Sequence, residues 1–129
     1  MSDSVLIVEN DPALRRELIS VFAAPAFEVS GASNYFDVLG EIDESKPDLA
    51  VINEALPLVD GWEVCFHLHW TFGIPVILMS ANYNRNVWAD LLLTGADFYL
   101  QLPCNHLELV ARVRAIIRRY KNSGLKLRN

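Results

Sequence analysis

Short apolar segments alternate along this chain with longer segments in which apolar residues recur every three to four positions. The short segments are rich in valine and isoleucine, as buried parallel strands are, and the longer ones have the period of amphipathic helices. Five such pairs predict an α/β fold, a doubly wound five-stranded parallel sheet with five helices covering its two faces. The predicted strands are residues 4–9, 27–32, 48–53, 75–80 and 97–101.

Residues typical of helix ends separate the predicted elements. Asp11 followed by Pro12 predicts an N-cap and the first residue of the first helix. Asn105, with Glu108 three residues later, has the pattern of a capping box and predicts the start of the last helix. Gly95 is predicted to end the fourth helix, because glycine readily adopts the left-handed conformation found there.

Composition indicates one globular domain. The 129 residues are 52% hydrophobic and 21% charged, which is enough apolar material for a core without disulfides. We expect that domain over residues 1–120 and a basic tail, or the start of a linker, over residues 121–129. No apolar run approaches the length of a membrane span and the first residues do not resemble a signal peptide, so we expect a cytoplasmic protein without membrane association.

The spacing of the two cysteines and the distribution of charge argue against a disulfide framework and against binding to nucleic acid. Cys65 and Cys104 lie 39 positions apart without a CxxC pattern, which favours reduced structural thiols. Residues 1–111 contain 16 acidic and 4 basic residues, whereas residues 112–129 contain 7 basic residues and no acidic one. The acidic part would repel phosphates, and a basic run on a helix is more often a solvated face, so we expect no direct binding to nucleic acid.

Polar residues follow the predicted strands where an open parallel sheet binds its ligands, outside the carboxyl ends of the strands. They are Glu9, Asn10 and Asp11 after the first strand, Asn53 and Glu54 at the third, Ser80 at the fourth, and Gln101 before Leu102 at the fifth. At this edge Asn53 offers a neutral amide.

Four segments resemble the receiver domain of bacterial two-component response regulators, namely VLIVENDPALRR, PDLAVINEALPLVDGWEV, PVILMSA and GADFYLQLP. The likeness covers residues 4–119. The segment ELVARVRAIIRR further resembles the last receiver helix of regulators that carry a winged-helix DNA-binding domain. The resemblance implies a flavodoxin-like sheet with strand order 2-1-3-4-5 and a cis peptide bond between Leu102 and Pro103.

Receivers of this family accept a phosphoryl group from a histidine kinase on an aspartate at the end of the third strand, with Mg²⁺ held by carboxylates. The resemblance carries these roles onto the present sequence position by position. It places the phosphoacceptor at Asn53, the metal-ligand aspartate at Asn10, its acidic neighbour at Glu9, the hydroxyl residue at Ser80, the switch aromatic at Tyr99 and a lysine at Leu102.

Three charges that the family's reaction needs are therefore missing. An amide oxygen is a poor nucleophile that cannot form an acyl phosphate, and leucine supplies no cation. Magnesium without two good carboxylates would be held poorly, so no magnesium or other cofactor is expected and Asp11 is assigned as a helix cap. We predict a degenerate, metal-free and rigid pocket without catalytic activity, in which Leu102 fills space apolarly.

The last predicted helix carries more apolar positions than one buried stripe requires, which favours a partner for part of its surface. These positions are Leu109, Val110, Val113, Ile116, Ile117 and Tyr120. In the winged-helix subfamily, the fourth helix, the fifth strand and the last helix pair two receivers through ion pairs, and Asp97 with Arg119 matches one such pair. The resemblance therefore implies a homodimer through this face.

Two other positions of this face depart from the subfamily. Phe98 stands where an acid would meet Arg112, and Trp88 stands where a cation would meet Glu108. Aromatic residues and arginine anchor interfaces, whereas exposed ion pairs contribute little. The predicted interaction face consists of Trp88, Asp97, Phe98, Glu108, Arg112 and Arg119. The alternative is that Trp88 and Phe98 pack on their own domain.

These features favour an atypical receiver that acts in signal transduction or transcriptional control as a phosphorylation-independent protein interaction module, and not as an enzyme. Two alternatives remain open. One is a phosphorylatable receiver that uses another acid, Glu54 or Asp11. The other is a ligand-sensing receiver that binds a small molecule near Asn53 and Ser80.

Overall fold

The computed structural model describes residues 2–23, 27–82 and 93–124, and the structural statements below concern these residues. Five short strands form one parallel sheet, as the sequence pattern predicts, in the order β2-β1-β3-β4-β5 that the resemblance implies. Each strand lies within one residue of its predicted bounds. The strands are β1 Ser4–Val8, β2 Glu28–Ala32, β3 Leu49–Asn53, β4 Val76–Ser80 and β5 Phe98–Gln101.

The described residues contain four α-helices, where the sequence predicts five. Most of the fourth predicted helix falls on residues 83–92, which lie outside the described residues. Its end is described, with Leu93 and Thr94 helical and Gly95 after them at a φ of +79°. The C-terminal helix continues into a π-helical turn at Tyr120–Gly124. The helices are α1 Pro12–Ala23, α2 Tyr35–Ser45, α3 Gly61–Phe72 and α4 His106–Arg119.

The predicted helix starts are present. Asp11 Oδ1 accepts a hydrogen bond from the Ala13 amide at 3.0 Å, and Asn105 Oδ1 accepts one from the Glu108 amide at 3.0 Å. Each bond satisfies an amide that the first helical turn leaves without a backbone partner. The peptide bond between Leu102 and Pro103 is cis, as the resemblance implies.

The core lies on both faces of the sheet, which explains why β1, β3 and β4 are apolar almost without interruption. One face packs against α2 and α3, and the other packs against α1 and α4. The apolar positions of α4 are not a surplus, contrary to the sequence interpretation. Leu109, Val113, Ile116 and Ile117 are all buried, and Val110 and Tyr120 pack against the same cluster.

Cys65 and Cys104 are free thiols that pack on opposite faces of the sheet, which agrees with structural cysteines. Burial raises the pKa of the Cys65 thiol to about 12, so this thiol stays protonated and unreactive near neutral pH.

Among the helices of the described residues, none combines the length and apolarity needed to span a bilayer.

Candidate functional site

Three polar side chains are buried at the carboxyl edge of the sheet. Glu9, Asn53 and Ser80 follow or end β1, β3 and β4, and their exposed fractions are 3%, 9% and 0%. Buried polar groups destabilise a fold unless they are hydrogen-bonded, so their partners define what this edge can do. The structure thereby brings together three residues that the resemblance assigns to one pocket.

Asn53 and Glu9 are joined by a short hydrogen bond. Asn53 Nδ2 donates to Glu9 Oε1 at 2.6 Å, and Asn53 Oδ1 accepts from the Ala55 amide at 2.9 Å. The second carboxylate oxygen of Glu9 accepts from the Asp11 amide at 3.1 Å. The amide of Asn53 is therefore oriented, with its nitrogen towards the acid, and both oxygens of Glu9 are engaged.

Asn10 and Asp11 lie outside this buried pair. Both residues are exposed, and Asp11 caps α1, as predicted. A cation that the sequence interpretation did not include also reaches this edge, because Arg15 Nη1 donates to the carbonyl of Glu9 at 2.8 Å. Arg15 lies one turn into α1, where its side chain extends back towards the end of β1.

Glu54 is the centre of a second group of hydrogen bonds. Its Oε2 accepts from the Ser80 hydroxyl at 2.6 Å, and its Oε1 accepts from Tyr99 Oη at 3.2 Å and from Trp62 Nε1 at 3.1 Å. The sequence interpretation assigned Ser80 and Tyr99 but missed Glu54 as their shared acceptor, and it missed Trp62. The available clue was that a buried serine and a buried tyrosine each require an acceptor.

Gly61 explains how α3 brings Trp62 to this group. A Cβ atom at position 61 would lie 2.4 Å from the carbonyl oxygen of Asn53 and 2.5 Å from the Cα of Glu54. Only glycine permits so close an approach of the first turn of α3 to the end of β3. The Gly61 amide also donates to the Glu54 carbonyl at 2.9 Å, which fixes the backbone beneath the Glu54 side chain.

Tyr99 and Leu102 occupy the β5 side of the pocket. Tyr99 is 7% exposed, and its ring lies 5.6 Å from the Trp62 ring, so the aromatic side chain points into the domain. Leu102 is half-buried and packs against the apolar cluster between the sheet and the helices α1 and α4. The leucine therefore fills space apolarly, as predicted.

The residues of the pocket do not fit Mg²⁺. Magnesium requires near-octahedral oxygen coordination, usually with one or two carboxylates. Here both oxygens of Glu9 accept hydrogen bonds, Asp11 caps a helix, and Asn10 offers a neutral amide. Nowhere in residues 2–23, 27–82 or 93–124 do three His, Cys, Asp or Glu side chains cluster as a metal site would need.

The predicted interaction face forms one cleft in its described part. A cavity of about 360 Å³ lies between β5 and α4. The Arg112 guanidinium lies 4.0 Å from the centre of the Phe98 ring and its Nη2 atom lies 3.4 Å from Glu108 Oε1. Phe98 also packs against its own core, which supports the alternative considered for this residue. The cleft is lined by Asp97, Phe98, Glu108, Ala111, Arg112, Ala115, Ile116 and Arg119. Trp88 lies outside the described residues.

Asp97 forms its hydrogen bonds within the chain. Its Oδ2 accepts from the Val76 amide at 2.9 Å, and its Oδ1 accepts from Tyr120 Oη at 2.8 Å. Desolvation raises the pKa of this carboxyl, against the opposite effect of the two hydrogen bonds and of the nearby Arg119. An ion pair between Asp97 and Arg119 of a second copy would compete with these bonds.

A second exposed apolar surface, which the sequence interpretation did not identify, lies on α2 and α3. Phe66 and Trp70 are 48% and 60% exposed on α3, with ring centres 6.3 Å apart, and Phe36 is exposed on α2. Large exposed aromatic side chains of this kind are typical of surfaces that bind other proteins.

Comparison with known proteins extends these findings. The family model of the response regulator receiver domain matches residues 5–114. The chain is 36% identical over 119 residues to the transcriptional regulatory protein AfsQ1 of Streptomyces coelicolor, covering 90% of this chain and 52% of that protein. It is 33% identical over 130 aligned residues to the DNA-binding response regulator MtrA of Mycolicibacterium smegmatis, covering 98% and 56%.

A solved structure agrees with these relatives. The crystal structure of a two-component response regulator from Clostridium difficile has a TM-score of 0.85 and 27% identity, covering 92% of this chain and 98% of that one. The chain spans about half the length of the curated relatives it matches. With its strand order, its buried polar side chains at the carboxyl edge of the sheet and these similarities, the chain belongs to the response regulator receiver domain family.

Proposed function

We propose that this receiver domain is not phosphorylated and acts in signal transduction or transcriptional control as a protein interaction module. The hydrogen bond from Asn53 Nδ2 to Glu9 Oε1, 2.6 Å long, is the observation that carries the proposal. At the position that the resemblance assigns to the phosphoacceptor, the atom that faces the acidic residue is a nitrogen donor, where phosphoryl transfer requires a nucleophilic oxygen.

The surroundings of Asn53 support the same proposal. The transfer needs cations that neutralise the oxygens of the phosphoryl group as it moves. The donor set around Glu9 does not fit Mg²⁺, and Leu102 is packed apolarly where the resemblance places a lysine. An unreactive pocket without magnesium follows, and the proposal assigns the chain no catalytic activity.

The alternative acceptors are already engaged. Glu54 accepts three hydrogen bonds, and Asp11 caps α1. A carboxylate that attacks phosphorus must give up such bonds, so neither acid is favoured as a phosphoacceptor. No contact among the described residues favours a small-ligand site near Asn53 and Ser80 either, because both side chains are satisfied within the domain.

Protein surfaces remain as the means of signalling. The cleft between β5 and α4 offers an aromatic ring, two arginines and two acids, and we assign it to a protein partner, with a second copy of this chain as the simplest one. The acidic body of the chain argues against direct binding to nucleic acid. The proposal places this activity in the cytoplasm, away from the membrane.

Incubation with Mg²⁺ and acetyl phosphate, followed by intact mass measurement, tests the proposal. We expect an unchanged mass for this chain, beside a receiver that retains the acceptor aspartate and gains one phosphoryl group under the same conditions. Stoichiometric addition of a phosphoryl group to the wild-type chain would overturn it. The Glu54→Gln and Asp11→Asn variants would then show which acid had reacted.

A further inference from the structure

Glu54 connects the three elements that surround its side chain. Ser80 ends β4, Tyr99 lies in β5 and Trp62 lies in α3, and each donates one hydrogen bond to the Glu54 carboxylate. The backbone of Glu54 is fixed as well, because its amide donates to the Met79 carbonyl at 2.8 Å. One anionic group at the end of β3 thus receives three donors that come from separate parts of the sequence.

These contacts resemble those of an anion-binding site, except that the anion is the Glu54 carboxylate of the same chain. A carboxylate only accepts hydrogen bonds, and hydrogen bonds to a charged acceptor are shorter and stronger than neutral ones. The hydroxyl of Ser80 lies 2.6 Å from Glu54 Oε2. The resemblance places the family's hydroxyl residue at Ser80 and its switch aromatic at Tyr99.

We propose that Glu54 is a built-in anion that holds Ser80 and Tyr99 in one arrangement without any phosphoryl group. As a result, the cleft between β5 and α4 keeps one conformation. This inference rests on the proposed function, because it explains how a receiver that is not phosphorylated keeps a fixed interaction face. Glu54 acts through Tyr99 and is therefore a positioning residue.

The register of β5 links the two sites. Tyr99 pairs with Leu78 of β4 and faces the α2 and α3 side, whereas the neighbouring Phe98 pairs with Ile77 and faces α4. Phe98 carries the stacked Arg112 guanidinium at 4.0 Å. Because adjacent residues of a strand point to opposite faces, a rotation of Tyr99 out of the pocket would disturb the strand that presents Phe98.

The substitution Glu54→Gln tests this role with little change of shape. Glutamine keeps one acceptor oxygen but replaces the other with an NH₂ donor, which cannot accept from Ser80, Tyr99 or Trp62. Glu63→Gln is the matched control, because it makes the same change in the first turn of α3 at an exposed residue.

Fluorine NMR of protein labelled with fluorotyrosine reads Tyr99 directly among the four tyrosines of the chain, and the Tyr99→Phe variant assigns its resonance. We expect a single narrow Tyr99 resonance in the wild type and in Glu63→Gln. In Glu54→Gln we expect that resonance to shift and broaden or split. In the proton spectrum of the same variant we expect the Trp62 indole N–H signal to shift upfield. Unchanged Tyr99 and Trp62 signals in Glu54→Gln, or equal changes in Glu63→Gln, would overturn the inference.

Association through the cleft supplies a second readout. We expect Glu54→Gln to weaken it about tenfold or more, and Glu54→Asp, which restores the charge, to recover part of the Tyr99 signal. If Glu54→Gln is unfolded, the Ser80→Ala variant, which removes one donor, must alter the Tyr99 resonance. A wild-type chain that does not associate would contradict the proposed interaction face, whereas the NMR comparison in the monomer still decides the role of Glu54.

Discussion

Asn53, at the end of β3, donates a 2.6 Å hydrogen bond to Glu9, which follows the neighbouring strand β1. Both side chains are buried. The pair is compatible with burial because one partner is a neutral donor and the other an acceptor. Two carboxylates at the same separation would repel each other, with few water molecules to screen them. The asparagine therefore stabilises the pocket, and under the proposed function the same residue prevents the family's reaction.

Replacing Asn53 with aspartate should not restore phosphorylation and should destabilise the domain. The substitution places an acid against Glu9 and removes the only donor of this pair, so we expect a loss of about 2 kcal/mol in the free energy of unfolding near neutral pH. The loss should shrink in acid, where protonation of one carboxyl restores a donor. Urea titration at several pH values measures the change, and intact mass after exposure to Mg²⁺ and acetyl phosphate measures the reaction.

Asn10→Asp is the control for that experiment. Position 10 is exposed, so a carboxylate there should change stability by less than about 0.5 kcal/mol. Ready phosphorylation of Asn53→Asp would show that the absent metal-ligand aspartate and the absent lysine do not limit the reaction.

Gly61→Ala should destabilise the domain by about 2 kcal/mol or more, because the added Cβ would lie 2.4 Å from the backbone oxygen of Asn53. The start of α3 would have to move, and Trp62 would move with it away from Glu54. Gly40→Ala is the matched control, since nothing lies within 4 Å of a Cβ at that position in the middle of α2. The control should be neutral or stabilising by up to about 1 kcal/mol. Equal thermal stability of the two variants would contradict the close approach described here.

The comparison of sequence and structure shows which features local patterns can predict. All five strands could be predicted. The central strands β1, β3 and β4 are buried on both faces and therefore form runs of apolar residues that need no partner information, and the edge strands β2 and β5 follow from the alternation with helical segments. The role of Glu54 could not, because its acceptor function depends on Ser80 and Tyr99, which lie 26 and 45 positions away along the chain. The hydrogen bonds of Asp97 could not be predicted either, because the resemblance implies only a pairing with Arg119 of a second copy, and the donors Val76 and Tyr120 come from other parts of the same chain.

The pH dependence of stability should carry a contribution from Asp97. Desolvation raises the pKa of its carboxyl above 3.8, so the folded state binds the proton more tightly than the unfolded state. This contribution is fully present below about pH 4 and is lost as the pH rises through the raised pKa of the folded state. Because asparagine, like the protonated carboxyl, has one carbonyl acceptor and one donor, we expect Asp97→Asn to differ little from the wild type in acid and to gain stability relative to it as the pH rises.

Asp37 provides a control, because its contribution to stability changes with pH in the opposite direction. Hydrogen bonds from Ser33 lower the pKa of its carboxyl, so its contribution is present above about pH 4 and is lost as the pH falls through the lowered value. Asp37→Asn should therefore fall further behind the wild type as the pH rises. Chemical denaturation of the three proteins between pH 3 and 7 measures both trends, and parallel curves for the two variants would refute the assignment for Asp97.

The last prediction concerns association through the cleft between β5 and α4. The Phe98 ring beneath the Arg112 guanidinium is the apolar centre of this cleft, and Phe98→Ala removes both the ring and the surface on which the arginine rests. We expect the wild-type chain to form a dimer that salt weakens little, because screening acts over about 10 Å at 0.1 M on exposed charges and scarcely on apolar contact. Phe98→Ala should weaken the dimer about tenfold or more.

Two further variants make the mechanism of association explicit. Phe98→Asp places an acid beside Arg112, so any association that remains should become sensitive to salt. Leu107→Ala removes an exposed apolar side chain of α4 that does not line the cleft, and it should leave the dimer unchanged. Sedimentation of the four proteins at low and high salt provides the measurement. At about 50 μM, a dimer with a binding free energy of about 8 kcal/mol is mostly formed. If all four proteins are monomers at this concentration, this face does not join two copies. A dimer that resists Phe98→Ala but dissociates in salt would show that its ion pairs, and not the aromatic ring, hold the copies together.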